Sequence, residues 1–241
     1  MPNLTDFIQK LKKRPFCSVV VLAAGSSTRA GRDKLFYPLQ GIPVLARSLQ
    51  VFQQSEAVDE IILVTRADHI PEAADLCEKY GIVKARKILC GGATRAESAL
   101  VGVSETNTRA DLIAIHDGAR PFVTEELLAA LIHDALLYQA AVPGVPLRDT
   151  IKHVEKGAAV STVPRDETMA VQTPQVFRAD LIKGALTQAV KQGLPITDDC
   201  SAVEAMGYSV RMTPGSAENI KITLPVDFCL ADAILEMRKE K

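Results

Sequence analysis

Short uninterrupted apolar runs alternate along the chain with amphipathic stretches, and turns rich in Gly, Asp, Ser and Pro separate them. Residues 16–22 read as a strand covered on both faces, because Val19, Val20, Val21 and Leu22 leave it no polar side. Helical spacing follows at 43–54, a second strand at Glu60–Thr65, and a helix at 71–80 ended by Gly81, which suits a left-handed cap. Residues 87–90 form a short strand running into Gly91-Gly92, and 95–104 return to helical spacing. Another buried strand, 111–116, ends at Asp117-Gly118-Ala119-Arg120-Pro121. Thr124 caps the next helix, with Glu125 and Glu126 in its first turn, where carboxylates favour the positive end of the dipole. Later in the chain, 179–191 and 198–206 read as helices, 208–213 as a strand and 226–238 as the closing helix.

Strands separated by helices pair in parallel through right-handed crossovers, which predicts a three-layer α/β sandwich with a mostly parallel sheet. Ligands of such folds collect at the carboxyl ends of the strands. The three post-strand turns richest in glycine and charge, 23–34, 91–95 and 117–120, are therefore expected to converge on one edge of the sheet. The rhythm changes between 145 and 171, where 148–154 and 159–163 alternate like two strands joined by Glu155-Lys156-Gly157. A projecting hairpin buries little of itself and needs another surface. Residues 147–168 are accordingly expected to be a dimerisation and active-site arm on a single domain spanning 1–241.

Composition narrows the function classes. A chain of 241 residues with 47% hydrophobic and 24% charged positions is an ordinary globular one, and its net charge of −1 argues against a protein that mainly grips nucleic acid. The run Lys10, Lys12, Lys13 and Arg14 reads as the solvated end of a short helix. Cys17, Cys77, Cys90, Cys200 and Cys229 lack metal-ligand spacing and read as thiols of a reducing compartment. No apolar run approaches the ~20 residues a membrane span needs. The start of the chain lacks the apolar region of a signal peptide, so a cytoplasmic protein without a membrane partner is expected.

The candidate chemistry begins at Ala23-Ala24-Gly25-Ser26-Ser27-Thr28-Arg29 with Lys34 beyond it. Small side chains after a buried strand let backbone N–H groups approach an anion, and two cations follow; a tight structural turn is the alternative. The turn has neither the Gly-Lys-Ser/Thr of a P-loop nor the second glycine of a dinucleotide fingerprint. Asp117, emerging from a buried strand, suits a Mg²⁺ ion shared with phosphate oxygens, or equally a cap on its own turn. His116 reads as structural. Arg120, Arg165 and Lys221 stand beside turns rather than on charged helix faces. Together with Arg29 and Lys34 they exceed what one triphosphate needs, which suggests a second anionic group unless each is a surface salt bridge.

The motifs in register carry a resemblance. Leu22-Ala23-Ala24-Gly25-x-x-x-Arg29, Lys34, Gly91-Gly92-x-x-Arg95-x-x-Ser98, His116-Asp117-Gly118-Ala119-Arg120-Pro121-Phe122, Val145-Pro146-x-x-Asp149-Thr150-Ile151-Lys152, Thr173-Pro174-Gln175-x-Phe177, Thr197-Asp198-Asp199 and Asn219-Ile220-Lys221-Ile222-Thr223 resemble the 2-C-methyl-D-erythritol 4-phosphate cytidylyltransferases of the non-mevalonate isoprenoid pathway. The resemblance covers residues 16 to about 232. It implies a Rossmann-like nucleotidyltransferase fold, a homodimer with interlocked arms, and reaction of CTP with 2-C-methyl-D-erythritol 4-phosphate to give the CDP-alcohol, 4-diphosphocytidyl-2-C-methyl-D-erythritol, and pyrophosphate.

The same resemblance implies roles residue by residue. Arg29, Lys34, Lys221 and Arg165 take catalytic positions, the first three on the triphosphate and the reacting phosphate. Ala23, Ala24, Gly25, Gly92 and Ser98 surround cytidine. Arg120, Thr150, Arg165, Thr173 and Thr197 form the sugar-phosphate pocket, partly from the partner's arm, and Asp117 positions Mg²⁺ or another divalent cation. Departures from the family pattern fall at Ser27, where glycine is common, at Asp33, where proline is common, at Ala93, where an acidic residue occurs, and at Leu224-Pro225-Val226-Asp227-Phe228. A phosphate monoester is already ionised at neutral pH, so the absence of a nucleophile and base constellation fits the reaction. A cytidylyltransferase for another polyol phosphate, such as ribitol 5-phosphate, and a non-catalytic nucleotide-binding regulator are the competing readings.

Overall fold

A computed structural model describes residues 14–25 and 33–239. Its centre is an eight-stranded sheet. The strands, in chain order, are β1 (Cys17–Ala23), β4 (Glu60–Thr65), β5 (Ala85–Cys90), β6 (Leu112–Asp117), β7 (Ala140–Pro146), β10 (Met169–Val171), β11 (Gln175–Arg178) and β12 (Arg211–Pro214). They lie in the order β10-β7-β11-β6-β1-β4-β5, with β12 on β7. β5, β4, β1 and β6 are mutually parallel. β11 inserts antiparallel between β6 and β7, and β10 is antiparallel to β7, so the sheet is mostly rather than wholly parallel.

Alternation along β1 builds the layers. Cys17, Val19, Val21 and Ala23 face one core with α1 (Val44–Gln54), α2 (Ile70–Lys79) and α4 (Glu125–Tyr138). Val20 faces the other, with α3 (Arg95–Ser104), α5 (Ala179–Gln192) and α6 (Asp199–Ala205). This is the expected three-layer α/β sandwich. A third apolar cluster joins α7 (Pro225–Lys239) to the small hairpin of β2 (Pro38–Leu39) and β3 (Ile42–Pro43), with Tyr37 and Phe228 rings 4.4 Å apart. Burial pushes the Cys17 thiol up to about 12 and that of Cys77 up to about 11, as befits inert core thiols. Among the described residues no helix is long and apolar enough to cross a membrane.

Most element boundaries match the pattern to within a few residues, and Glu60–Thr65 and the helix Arg95–Ser104 coincide with it. The strands β7, β10 and β11 have no counterpart in the periodic reading. β7 reads Ala-Ala-Val-Pro-Gly-Val-Pro, whose prolines and glycine have low strand propensity, and β11 has only four residues. β7 and β11 are held between neighbours in the sheet, and β10 is held at its edge by β7. The projecting hairpin is present as β8 (Lys152–Glu155) and β9 (Ala158–Thr162), every residue of both being exposed. Its first strand starts at Lys152, later than the alternation from Arg148 suggests. Lys156 and Gly157 turn it with φ of 49° and 86°, the double positive φ of a two-residue hairpin loop.

Candidate active site

Three strand ends and one returning segment meet at the carboxyl edge of the sheet. Behind β1, Ala23, Ala24 and Gly25 line a cleft of about 370 Å³, with Lys34, Gly92, Ala93 and Ser98 across from them. A Cβ on Gly91 would stand 2.7 Å from Ser98 Oγ and 2.8 Å from Ala24 Cβ, so a side chain there would force the two walls apart. A Cβ on Gly25 meets no described atom within 4 Å, so its missing side chain leaves room on the cleft side rather than serving packing. Ser98 donates its hydroxyl to Thr94 O at 2.9 Å, which locks the loop ahead of α3. Thr94 and Glu97 close a capping box over that helix start.

A second cleft of about 450 Å³ opens on the other side of Asp117, with Arg120, Thr173 and Thr197 in its wall. Asp117, Arg95 and Lys221 line both clefts. Lys221 Nζ stands 2.9 Å from Asp117 Oδ2, Arg120 Nε 3.6 Å from the same oxygen, and Arg95 Nη2 3.6 Å from Oδ1. Burial works against the Asp117 charge, yet Lys221, Arg95 and Arg120 hold its carboxyl well below the usual carboxylate range. Lys221 is presented by the pairing of Ile222 N with Ala119 O at 2.9 Å, and Arg120 Nη1 donates to Asn219 O at 2.7 Å. The buried Asn219 amide donates in turn to Thr173 O at 2.9 Å, joining the segment to the second cleft.

Several predicted positions thus converge: Ala23, Ala24, Gly25, Lys34, Gly92, Ser98, Asp117, Arg120, Thr173, Thr197 and Lys221 all line one cleft or the other. Arg165 and Thr150 do not. They pair with each other at 3.3 Å near the base of the exposed hairpin and line neither cleft. Arg29 and Ser27 lie outside the described residues. Asp33 does not stand free beside Lys34: its carboxylate accepts from Leu35 N at 3.1 Å and faces His69 Nδ1 at 3.4 Å.

Arg95, Asp199 and Gln175, which the motif reading left without a role, belong to the site's frame together with the buried His116, which it read as structural. Arg95 grips the wholly buried Asp199 through two hydrogen bonds of 3.0 and 2.7 Å, tying α3 to α6. Asp199 holds the Arg95 guanidinium above its ordinary range despite burial. A cation on the first residue of a helix opposes the dipole, and that misfit was the available signal in the sequence. Gln175 caps α6 by accepting from Asp199 N and Cys200 N at 3.1 and 3.0 Å. Burial pushes the His116 imidazole down to about 4, so it is neutral near pH 7.

Asp117 is the single carboxylate that faces both clefts among the residues lining them in common. Among the described residues no group of three or more His, Cys, Asp or Glu side chains is placed to cage a metal. One carboxylate facing two clefts meets the minimum that Mg²⁺ asks of a protein when phosphate oxygens and water complete its shell. The residues therefore fit a phosphate-carried ion anchored on Asp117, and not a resident metal centre.

The profile of one protein family, IspD: 2-C-methyl-D-erythritol 4-phosphate cytidylyltransferase, matches residues 17–237. A 2-C-methyl-D-erythritol 4-phosphate cytidylyltransferase of Halalkalibacterium halodurans is 43% identical over 226 residues, covering 93% of this chain and 99% of the relative. The crystal structure of 4-diphosphocytidyl-2C-methyl-D-erythritol synthase from Anaerococcus prevotii superposes with a TM-score of 0.83 at 30% identity, over 93% of this chain and 100% of that one. The Thermus thermophilus 2-C-methyl-D-erythritol 4-phosphate cytidylyltransferase gives 0.76 at 32% identity, over 92% and 99%. With the family profile spanning nearly the whole described sheet and its two clefts, this chain belongs to the 2-C-methyl-D-erythritol 4-phosphate cytidylyltransferase family.

Proposed function

We propose that this chain transfers the cytidylyl group of CTP to 2-C-methyl-D-erythritol 4-phosphate, giving 4-diphosphocytidyl-2-C-methyl-D-erythritol and pyrophosphate for isoprenoid precursor synthesis. The observation that carries the reading is the wall common to two clefts, where Asp117, Arg95 and Lys221 stand between a small-residue nucleotide seat and a polar pocket. Cytidine sits against Ala23, Ala24, Gly25, Gly92 and Ser98, and the alcohol phosphate against Arg120, Thr173 and Thr197.

The chemical obstacle is bringing two anions together and stabilising charge on the α-phosphate while pyrophosphate leaves in line. No general base is needed, because the attacking phosphate monoester is ionised. Arg29 and Lys34 hold the triphosphate, and Lys221 serves the reacting phosphate from the common wall. Asp117 anchors Mg²⁺ or another divalent ion, which supplies charge neutralisation on phosphate oxygens when bound. Arg165 and Thr150 sit on an exposed arm and line neither of the two clefts described above, which supports a homodimer in which residues 147–168 complete the neighbouring protomer's alcohol-phosphate pocket. The remainder of residues 1–241 forms the nucleotidyltransferase domain that carries the arm.

Pyrophosphate release from CTP, measured with 2-C-methyl-D-erythritol 4-phosphate and separately with ribitol 5-phosphate, tests the assignment. Turnover with the methylerythritol substrate far above that with ribitol phosphate is expected. Preference for ribitol phosphate would overturn the substrate, and no pyrophosphate with either would overturn the reaction.

A further inference from the structure

Segments that carry three of the site's cations lean on the closing helix. α7 buries Phe228, Ala231 and Ile234 in one cluster with Phe122, just after Arg120, and Ile222, just after Lys221. Ile220 and Tyr37, close to Lys221 and Lys34 in the chain, pack against the same cluster. Apolar packing is non-directional, so it holds these segments against the helix without fixing their spacing along it. Polar bonds at the two ends of α7 do that. At its start Asp227 Oδ2 accepts from Thr223 N and Leu224 N, both at 2.7 Å. At its end Arg238 Nε donates to Glu218 Oε2 at 2.9 Å, and Arg238 Nη2 donates to the Phe122 carbonyl oxygen at 3.0 Å. The guanidinium carbon lies 5.2 Å from the centre of the Phe122 ring. The Arg120 turn and the Lys221 segment also meet directly, through Ile222 N on Ala119 O and Arg120 Nη1 on Asn219 O. These contacts run in antiparallel order, 119 with 222 and 120 with 219, and Arg238 adds the last rung, 122 with 218.

We propose that Arg238 is a positioning residue: by bonding Glu218 to Phe122 from behind the site it sets the spacing of Lys221 and Arg120 across the common wall, and with it the fit of the alcohol phosphate between them. The inference rests on the reading of that wall as the place where the alcohol phosphate meets CTP. Arg238 lines neither cleft and acts only through the two cations. The Arg238 and Glu218 side chains are each 29% exposed, so the pair contributes little to stability. A cation in the last turn also suits the helix dipole, a role that any cation fills. Holding two acceptors at once needs the planar fork of arginine, which lysine lacks.

Steady-state kinetics separate the fork from the charge. Arg238→Ala is expected to lower kcat/KM for the alcohol phosphate by about ten- to a hundredfold, the scale of a misplaced group, while KM for CTP and Tm stay near those of the wild type. Arg238→Lys keeps the charge and is expected to remain impaired in the same parameter. Wild-type kinetics in Arg238→Lys would assign the residue to the helix dipole and overturn the proposal, as would equal rises in KM for both substrates. Arg238→Ala should also cost clearly less in a Lys221→Ala background than alone, because the brace acts in part through that lysine. Losses that multiply in full overturn it.

Hydrogen exchange supplies a readout that needs no turnover. Arg238→Ala is expected to speed amide exchange in peptides spanning 117–122 and 215–224 and to leave β1 and β4 as they are in the wild type. Unchanged exchange in both segments overturns the brace. Should Arg238→Ala not fold, Arg238→Lys and Glu218→Ala carry the same measurements, with the same outcomes for and against. Lack of wild-type turnover with methylerythritol phosphate would sink the functional reading and leave the exchange result to decide whether Arg238 joins the two segments.

Discussion

Asp117 is the residue on which the proposed chemistry turns, because it holds Lys221 at 2.9 Å and two arginines at 3.6 Å in a space where three cations alone would repel. Its carboxylate keeps them gathered at the wall that both clefts share. Cations aimed at the transferring group act on the transition state more than on the ground state. Lys34→Ala is therefore expected to lower kcat by about 10²–10³ with a smaller effect on KM for CTP, the usual loss for one preorganised donor. Steady-state rates on the purified variant check it, and full activity would remove Lys34 from the reacting phosphates. The Asp33 carboxylate beside Lys34 also accepts from Leu35 N and faces His69 Nδ1.

At the scale of elements, α3 carries the glycine loop, Ser98 and Arg95 to the clefts, and its distance from the sheet sets their positions. Gly102 lets the helix lie close: a Cβ there would overlap the Val20 Cγ1 methyl and stand 3.0 Å from Val64 Cγ2. Both valines are fully buried in strands and have nowhere to yield. Gly102→Ala is expected to destabilise the fold by about 1–3 kcal/mol through overpacking, despite the better helix propensity of alanine. It should also weaken CTP binding, since the cleft rim rides on the displaced helix. Thermal or denaturant unfolding and CTP titration check both effects, and a more stable variant with normal CTP affinity would refute this account of α3.

At the scale of the whole molecule, the exposed β8–β9 hairpin is a structure without a core. Ile151, Val154 and Val160 are 38%, 56% and 51% exposed, an apolar display that a lone projecting ribbon does not retain without a surface to cover it. If the arm completes the neighbouring protomer's pocket, subunits inactivated by Lys34→Ala and by Arg165→Ala should complement one another. Mixed dimers carry one site with both residues intact, so about half of the wild-type activity per mixed dimer is expected on simple site counting. Activity assays on isolated heterodimers check this, and no recovery would place Arg165 outside its neighbour's site.

The sequence by itself determined the α/β rhythm, because period-2 and period-3.6 burial are local properties that survive in one dimension. It also marked Ala23–Gly25, Gly91-Gly92, Asp117 and Lys221 as candidates, because small residues and charges gather at strand ends, and the structure brings Ala23–Gly25, Gly92, Asp117 and Lys221 to the clefts. Residues whose role depends on a distant partner were not legible in this way. Arg95 meets Asp199, 104 positions away, and His116 meets Thr173, 57 positions away. The strands β7, β10 and β11 likewise exist because neighbours supply their hydrogen bonds, against weak propensity in Ala-Ala-Val-Pro-Gly-Val-Pro. Only the tertiary structure decided which cations surround Asp117 and which groups stand against Thr173, because charge compensation and hydrogen-bond partners are settled by what stands opposite in space.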